Sequence, residues 1–404
     1  MKILVLKFGG TSVGSIKRIK NVAKIIISYL KKRFKVIVVS SAIGGETNKL
    51  VKLSKEISNN FPPSEYDALV SSGEQVSCSL IAGRLHSEGY LSRSWLGWQV
   101  PIVTSGKYSH SRIINIDKKN IMKFLKIGGV PIIAGFQGIN IDNRITTIGR
   151  GGSDASAIMV SKFFKAKKCI IYTDVEGVYT TDPNIVPKAK KIKKISYEEM
   201  LEMSSLGAKV MQPHSIQDAR LNRVNIEVRS SFKKVSGSLI TKKRNVSSKN
   251  IIRGVSFTKN DSKVTLIGVK DRPGVAASIF EPLYKSSINV DMVVQNISSN
   301  KKETDLTFTI KNDDLIKTEK LIKKNKKIRF KKIIIDENVS KVSIVGVGMI
   351  TTPGVTFRMF SALAKQNINI LVISTSEIKI SVLVNRKNLK KAVDVLHKEF
   401  KLDH

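Results

Sequence analysis

Up to about Phe232, short apolar runs rich in β-branched residues alternate with longer stretches whose apolar residues recur at helical spacing. The predicted strands cover residues 2–7, 36–41, 131–136 and 169–174, and the predicted helices cover residues 16–32, 47–59 and 153–164. Strands that alternate with helices form a mainly parallel sheet covered on both faces. The first part of the chain is therefore predicted to be an α/β domain.

Past Phe232 the pattern changes, and the polar, basic residues 241–253 are typical of a connector. Beyond it the sequence repeats itself: residues 263–269 match 341–347, residues 273–275 match 353–355, and residues 288–290 match 368–370. Each copy predicts a βαββαβ unit, with a Pro-Gly pair at the start of its first helix. A duplicated small module behind a larger one favours ligand sensing, and a repeat kept only for packing is the alternative.

Glycine-bearing turns follow the predicted strands of the first part, at Gly9-Gly10, Gly44-Gly45, Gly135 and Gly138. Open α/β sheets bind ligands beyond the carboxyl ends of their strands, so these turns are predicted to meet at a ligand site. In the first turn, Lys7 and two glycines suit a polyphosphate, because glycine lets backbone N–H groups approach an anion. The spacing is not that of a P-loop, and an ordinary strand-to-helix turn is the alternative.

The composition limits the class of protein. A chain of 404 residues with 41% hydrophobic residues predicts about two or three domains with sizeable cores. No apolar run is long enough for a membrane span, and the first residues lead directly into a strand without a secretory signal. Two cysteines, Cys78 and Cys169, are too few for a disulfide framework or a zinc site. A cytoplasmic protein without a membrane partner is expected.

The formal net charge is +38, from 70 Lys and Arg against 32 Asp and Glu. Such an excess ordinarily suggests nucleic acid as the partner. Here the excess is mostly lysine spread through every segment, and stacking aromatics make up only 6% of the residues. We therefore expect nonspecific attraction to polyanions at low salt, without functional nucleic-acid binding. The densest basic run, residues 317–332, predicts a solvated helix face followed by a strand.

Four motifs in order along the chain resemble those of the aspartokinases, members of the amino acid kinase superfamily. They are Lys7-Phe8-Gly9-Gly10-Thr11-Ser12-Val13, Gly149-Arg150-Gly151-Gly152-Ser153-Asp154, residues 172–183, and Ile373-Ser374-Thr375-Ser376-Glu377. The resemblance is to the monofunctional kind. It implies an amino acid kinase three-layer α/β sandwich with a mainly parallel central sheet, followed by two ferredoxin-like ACT domains. The implied boundaries are 1–232 for the catalytic domain, 233–262 for a linker and entry segment, 263–337 for the first ACT domain and 338–404 for the second.

The family transfers the γ-phosphoryl group of MgATP to the β-carboxylate of L-aspartate, which opens lysine, threonine and methionine synthesis. Because a carboxylate is already ionised at neutral pH, the transfer needs alignment and charge neutralisation, and no general base. The resemblance implies two catalytic residues, with Lys7 stabilising the transferring phosphoryl group and Asp154 holding Lys7 in place. Mg²⁺ is expected to enter with ATP and to bridge its phosphates, with waters completing its shell, and the sequence identifies no protein ligand for it. The five histidines show no metal-ligand spacing.

The resemblance also implies contacts to both substrates. The implied ATP contacts, besides Lys7, are Phe8, Gly9, Gly10, Ser12, Thr173, Asp174, Tyr179, Asp182 and Lys209. The implied aspartate contacts are Ser41, Thr47, Glu74, Arg150, Gly151, Gly152 and Ser153. Arg150 would clamp the α-carboxylate with its planar fork, and Glu74 would bind the ammonium group.

Several of these residues have a structural alternative. Ser153 or Asp154 could equally cap the helix that follows, and Glu74 could face a helix dipole. Asp174 and Asp182 lie beside turn residues and could be turn formers themselves.

The two ACT copies imply a regulatory amino-acid site, with lysine and/or threonine as inhibitors. The implied contacts are Asp271, Asn289, Asp291 and Gln295 in the first copy, and Asn369, Ile373 and Ser376 in the second. Such sites normally form between ACT units of two chains, so a homodimer or a higher oligomer is expected. Feedback inhibition requires a ligand that binds differently to two arrangements of the protein.

Two other functions compete with this interpretation. One is a different amino acid kinase, such as a glutamate 5-kinase or a uridylate kinase, against which Thr11-Ser12 and the ACT pair argue. The other is a catalytically silent amino-acid sensor, against which the presence of Lys7, Glu74, Arg150 and Asp154 argues.

Overall fold

The computed structural model describes residues 2–206, 210–242, 251–297, 303–325 and 328–403. They form two compact units. The first lies within residues 1–178, 191–205 and 209–245, and the second lies within residues 179–190, 206–208 and 246–404. No helix among the described residues is long and apolar enough to cross a membrane.

The first unit contains twelve strands and eight helices among its described residues. Its strands are β1 (Ile3–Phe8), β2 (Lys35–Ser40), β3 (Ser92–Trp95), β4 (Ile102–Thr104), β5 (Ile113–Ile116), β6 (Val130–Ala134), β7 (Gln137–Ile139), β8 (Ile145–Thr147), β9 (Lys168–Thr173), β10 (Lys194–Ser196), β11 (Ile226–Ser230) and β12 (Ser238–Thr241). Its helices are α1 (Ile16–Leu30), α2 (Glu46–Ile57), α3 (Pro63–Val70), α4 (Ser72–Ser87), α5 (Lys119–Lys126), α6 (Gly152–Phe163), α7 (Tyr197–Ser205) and α8 (Pro213–Leu221).

Eight of these strands form the central sheet in the order β10-β12-β11-β9-β1-β2-β6-β3. Every neighbouring pair is parallel except β11 and β12. All six residues of β1 are buried, and its side chains that point to one face pack with apolar residues of α1 and α4. The helix α6 contacts β1, β2 and β9 as well. The mainly parallel α/β fold expected from the sequence is confirmed.

Two features of the first unit differ from the sequence-based expectation. The central sheet continues beyond residue 232, since β12 lies in the stretch predicted as a linker and pairs with both β10 and β11. A second, four-stranded sheet in the order β5-β4-β7-β8 has no counterpart among the predicted strands. Its members are only three or four residues long, too short for a clear periodicity in sequence.

The second unit contains both copies of the repeat. Its strands are β13 (Gly254–Lys270), β14 (Val293–Ile297), β15 (Glu303–Lys311), β16 (Lys332–Val345), β17 (Ile370–Thr375) and β18 (Lys379–Asn385). Its helices are α9 (Val275–Lys285), α10 (Leu315–Lys324), α11 (Val355–Ala364) and α12 (Leu389–Glu399), with short 3-10 turns at Asn312–Asp314, Val347–Thr351 and Arg386–Asn388. The first helix of each copy begins directly after its Pro-Gly pair.

One six-stranded antiparallel sheet joins the two copies in the order β14-β15-β13-β16-β18-β17. The end of β13 pairs with the start of β16, whereas residues 254–258 pair with residues 341–345. The sheet of the second copy is thus completed by residues 254–258, a strand segment that precedes the first copy along the chain. Ile252 and Val255 accordingly belong to the apolar core of the second copy. The predicted linker, residues 233–262, is therefore partly strand, with β12 in the first unit and the start of β13 in the second.

Residues 179–190 also pack within the second unit, where Val186 joins the core of the second copy. The backbone carbonyl of Thr180 accepts a hydrogen bond from Val255 N at 2.7 Å. Its hydroxyl oxygen lies 2.9 Å from Nε2 of His397, a fully buried residue of α12. This pair fixes the segment to the last helix of the chain.

We expect the second unit to lose stability as the pH falls below about 6.5, the ordinary pKa of histidine. Burial lowers the pKa of His397, although Asp403 and Asp394 offset part of this effect. The unfolded chain then binds the proton more readily than the folded one, so acid favours unfolding. Urea unfolding followed at about pH 7.5 and about pH 5.5 should show a smaller acid loss in His397→Gln than in the wild type. The exposed His86, replaced by Gln, is the control, and equal losses in all three proteins would contradict the argument.

Candidate functional site

A cleft of about 760 Å³ opens in the first unit, where β1, β2 and β6 end. Ten of the residues singled out in the sequence line it: Lys7, Gly10, Ser41, Thr47, Glu74, Arg150, Gly151, Gly152, Ser153 and Asp154. They come from four separate stretches of the chain. The parallel sheet brings these stretches together because its strands end at one edge.

The floor of the cleft depends on a close approach of two turns. The N–H group of Gly44, in the turn after β2, donates to the carbonyl of Gly10, after β1, at 3.1 Å. A Cβ atom added at Gly10 would lie 2.9 Å from the carbonyl oxygen of Ala42. A larger residue would force the two turns apart, and glycine lets the backbone approach closely.

Lys7 and Asp154 form an ion pair at the wall of the cleft. The amine lies 2.6 Å from Asp154 Oδ1, and each side chain is only 11% exposed. Lys7 belongs to β1, and Asp154 lies in the first turn of α6. A pair held this far from water keeps its geometry only while both partners remain, because either charge alone would be buried without compensation.

Glu74 presents a buried carboxylate to the same cleft. It lies in the first turn of α4 and is 3% exposed. Its Oε1 accepts the N–H group of Ala42 at 3.1 Å, while Oε2 has no hydrogen-bond partner among the described residues. Burial raises the pKa of this carboxyl to about 7, although backbone hydrogen bonds from Ala42 and Glu74 offset part of the shift. A buried acceptor without a cation is suited to bind an ammonium group.

Arg150 and the glycines around it complete the cleft. Arg150 is exposed and precedes Gly151, which caps α6. Ser153 and Asp154 therefore lie inside the helix, and the alternative in which one of them is the N-cap is wrong. Their position in the first turn leaves the N-terminal end of α6 facing the cleft, where the helix dipole favours anions.

Three residues of the first motif serve the fold. Phe8 is fully buried and its ring stacks on Tyr172, with 4.9 Å between the centroids. The N–H group of Gly9 donates to the carbonyl of Tyr172 at 3.1 Å, and the hydroxyl of Ser12 donates to Ser231 Oγ at 2.9 Å. Hydrogen bonds within the fold thus already use donors that the sequence analysis assigns to phosphate.

The remaining predicted nucleotide contacts are spread over both units. Thr173 ends β9 in the first unit and Asp174 follows it, and the hydroxyl of Thr173 donates to Asp174 Oδ1 at 3.1 Å. Tyr179 and Asp182 belong to the second unit. Asp182 Oδ1 accepts the N–H group of Asn184 at 2.9 Å, as the turn-forming alternative predicts. Lys209 lies outside the described residues.

The predicted regulatory residues lie in both copies, in the segments around β13, β14 and β17. Asp271 follows β13, Asn289 and Asp291 precede β14, Gln295 lies on it, Asn369 precedes β17, Ile373 lies on it, and Ser376 follows it. Asp291 forms an ion pair with the buried Lys341. Binding roles for these residues stay predictions.

Among the residues that line the cleft without having been singled out in the sequence are Asn48, Tyr66, His110, Phe136 and Thr147. None belongs to a recognisable motif. Tyr66 comes from α3, and Thr147 comes from the small sheet that the hydrophobic pattern does not reveal. Among the described residues, no three His, Cys, Asp or Glu side chains converge as metal ligands.

Comparison with known proteins agrees with this architecture. Residues 2–230 match the amino acid kinase family, and residues 264–325 and 342–400 match the ACT domain. The aspartate kinase of Pseudomonas putida is 45% identical over 405 residues, covering 100% of this chain and 98% of that protein. The structure of E. coli aspartokinase III with aspartate and ADP (R-state) is similar with a TM-score of 0.80 at 25% identity, over 98% of this chain and 99% of its own. The structure of E. coli aspartokinase III with lysine and aspartate (T-state) has a TM-score of 0.82 at 25% identity, over 99% and 100% of the two chains.

Proposed function

This chain belongs to the amino acid kinase family as an aspartate kinase with ACT domains, and we propose that its first unit phosphorylates the β-carboxylate of L-aspartate with ATP. The observation that carries this proposal is the meeting, in one cleft, of the Lys7–Asp154 ion pair, the uncompensated carboxylate of Glu74 and the guanidinium of Arg150. The charges of these groups complement those of an amino acid with two carboxylates, one of which accepts the phosphoryl group.

The charges assign a role to each side chain. Glu74 Oε2 receives the substrate's ammonium group, and the fork of Arg150 binds its α-carboxylate. The β-carboxylate is then left as the nucleophile, already ionised at neutral pH. Lys7 neutralises charge on the transferring phosphoryl group, and Asp154 keeps the amine at this position. Catalysis in this account comes from alignment and charge compensation.

Mg²⁺ accompanies ATP in this proposal. Phosphate oxygens and water supply most of the ligands that Mg²⁺ needs in nucleotide sites, so few protein ligands are required. When bound, the ion would supply positive charge that offsets the charge of the phosphates. Asp154 is the cleft carboxylate that stands beside the phosphoryl-handling lysine, which makes it the residue suited to contact this ion.

A coupled assay with ATP, Mg²⁺ and aspartate, in which hydroxylamine traps the acyl phosphate as a hydroxamate, tests the proposed reaction. We expect hydroxamate formation with aspartate, and at most weak product formation with glutamate or UMP as acceptors. Activity with glutamate or UMP but not with aspartate would overturn the assignment. Binding of aspartate without any phosphoryl transfer would instead support a silent sensor.

We further propose that lysine, threonine or both inhibit the enzyme through the second unit, and that ACT units of two chains pair to form this site. The E. coli structure with lysine bound supports an amino-acid effector of this kind. A cytoplasmic enzyme that opens the synthesis of lysine, threonine and methionine fits such feedback. A boundary near residue 338 between the two ACT domains completes the proposal, whereas β12 and residues 254–258 extend the flanking domains into the predicted linker of residues 233–262.

We expect that lysine or threonine, alone or together, lowers the rate of hydroxamate formation at limiting aspartate. The physical reason is that an effector which prefers an inactive arrangement shifts the protein towards it. Titrating activity against each amino acid, singly and combined, measures the effect. Leucine, which lacks a charged or hydroxyl side chain, is the control ligand, and identical curves for all three would contradict the proposal.

A further inference from the structure

Asp67 is a buried carboxylate beside the cleft, and the proposed reaction assigns no role to it. It lies on α3 and is fully inaccessible to solvent. Its Oδ1 accepts the hydroxyls of Ser109 and Thr147 at 3.1 and 2.8 Å. Its Oδ2 accepts their backbone N–H groups at 2.8 and 2.7 Å. One carboxylate thus satisfies four donors from two segments that are distant in sequence.

The hydrogen bonds to Ser109 stabilise an unfavourable backbone conformation. Its φ angle is 63°, in the left-handed region that non-glycine residues adopt only at a cost in energy. The carboxylate of Asp67 holds both the N–H and the O–H of this residue, and so stabilises the turn in a form it would otherwise leave. The side chains on either side of the carboxylate, Tyr66 and the wall residue Thr147, face the cleft.

The turn held by Asp67 supports the segment that carries Arg150. The N–H group of Ser111 donates to the carbonyl of Thr147 at 2.9 Å, which ties the turn to the end of β8. Three residues after Thr147 comes Arg150. The carbonyl of Ser109 also packs closely on Gly149, with 2.9 Å to the position of a Cβ atom there. Moving the turn would therefore move the backbone from which the guanidinium of Arg150 projects.

We infer that Asp67 is a positioning residue for the acceptor substrate: it fixes the wall formed by residues 109, 147 and 149, and through it the place of Arg150. The inference rests on the proposed function, in which Arg150 binds the α-carboxylate of aspartate. It assigns to Asp67 an effect on aspartate binding and no direct contact with the reacting atoms. The Lys7–Asp154 pair comes from β1 and α6, whereas the hydrogen bonds of Asp67 go to Ser109 and Thr147.

The test is Asp67→Asn, which keeps the size of the side chain but replaces one acceptor oxygen with an amide that donates. The amide faces donors only, so at least one bond to Ser109 or Thr147 is lost and the turn relaxes. We expect KM for aspartate to rise about tenfold or more, while KM for ATP stays within about twofold of the wild type. Glu65→Gln, an exposed carboxylate on the same helix that pairs with Arg144, is the matched control and should leave both KM values unchanged.

A second substitution separates positioning from a loss of overall stability. In the Asp67→Asn background, Ser109→Gly removes the hydroxyl that donates to residue 67. Glycine also adopts a positive φ angle without stabilisation by the carboxylate. KM for aspartate should then return at least partly towards the wild-type value. An Asp67→Asn enzyme with wild-type KM for aspartate, or with equal increases for ATP and aspartate that Ser109→Gly does not reverse, would overturn the inference.

If Asp67→Asn does not fold, Thr147→Val provides the milder measurement, because it deletes one hydroxyl donor and keeps the backbone bond. The expected rise in KM for aspartate is then smaller, about threefold, because three of the four donors to the carboxylate remain. An unchanged KM for aspartate in this variant would overturn the inference. A wild-type protein without activity towards aspartate would count against the proposed function itself, so the two failures are distinguishable.

Discussion

Lys7→Ala should lower kcat about a hundredfold or more while leaving the fold intact. The amine of Lys7 is a cation of the cleft that an ion pair holds in place, 2.6 Å from Asp154 Oδ1, and the Lys7 side chain is only 11% exposed. A positioned charge that meets negative charge developing in a transition state is typically worth a few kcal/mol, and each 1.4 kcal/mol is about tenfold in rate. Turnover at saturating ATP and aspartate, together with a thermal unfolding curve, measures the effect.

Two controls make this result specific. Lys24→Ala removes an exposed lysine of α1 and should change neither turnover nor stability. In the double variant with Asp154→Asn, turnover should fall little further than in Lys7→Ala alone, because residues that act as one unit are not additive. A Lys7→Ala enzyme with near wild-type turnover would refute the role of this amine.

Glu74→Gln should raise KM for aspartate between about tenfold and about a hundredfold, the range expected for a lost hydrogen bond to a charged group. The substitution keeps the shape of the side chain and the acceptor oxygen for Ala42, but removes the charge that an ammonium group requires. Because burial raises the pKa of Glu74 to about 7, the wild-type carboxyl is partly protonated at neutral pH. KM for aspartate should therefore fall as the pH rises through about 7 in the wild type, and this dependence should vanish in the variant.

The same substitution should stabilise the ligand-free protein above neutral pH. The folded pKa of Glu74 lies above that of an unfolded glutamate, so the folded state binds the extra proton and loses stability as the pH rises from about 4.5 through about 7. Glutamine carries no such penalty, and the gain at about pH 8 should be about 1–3 kcal/mol. Urea unfolding measures it, with Glu56→Gln, a half-exposed carboxylate of α2, as the control. A variant that is no more stable than the wild type and binds aspartate equally well would contradict this account of the site.

The local motifs of the chain predict much of the cleft. Lys7 is placed at the end of β1 by an apolar run that stops at two glycines, and Asp154 is placed in α6 by a glycine-rich turn before an apolar helix. Both features need only neighbouring residues, and the parallel sheet then brings the strand ends together. Lys7, Glu74, Arg150 and Asp154 accordingly line one cleft, as the resemblance to aspartokinases led us to expect.

Other features depend on contacts that are distant in sequence. Asp67 looks like any acidic residue of a short helix, and only the pairing of α3 with Ser109 and Thr147 reveals its burial. Gly9 and Ser12 belong to a motif typical of phosphate binding, yet their donors bond to Tyr172 and Ser231. A sequence motif indicates which hydrogen-bond donors are available, whereas the tertiary fold determines which of them are already paired within the protein.

The strand at residues 254–258 is a similar case. Its sequence follows a polar, basic stretch and is predicted as part of a linker, but it pairs with residues 341–345 of the second copy. Strand pairing across about 85 residues leaves no periodicity that a short window could detect. The repeat itself is visible in the sequence because its copies align in register except for one turn that is longer in the second copy.

A crystal structure with a nonhydrolysable ATP analogue, Mg²⁺ and aspartate tests the central claim most directly. The account predicts that the amine of Lys7 lies within hydrogen-bonding distance of a γ-phosphate oxygen, with the ammonium group of aspartate on Glu74 Oε2 and its α-carboxylate on Arg150. Nucleotide bound far from residue 7, with that amine directed into water, or aspartate bound outside the cleft, would contradict it.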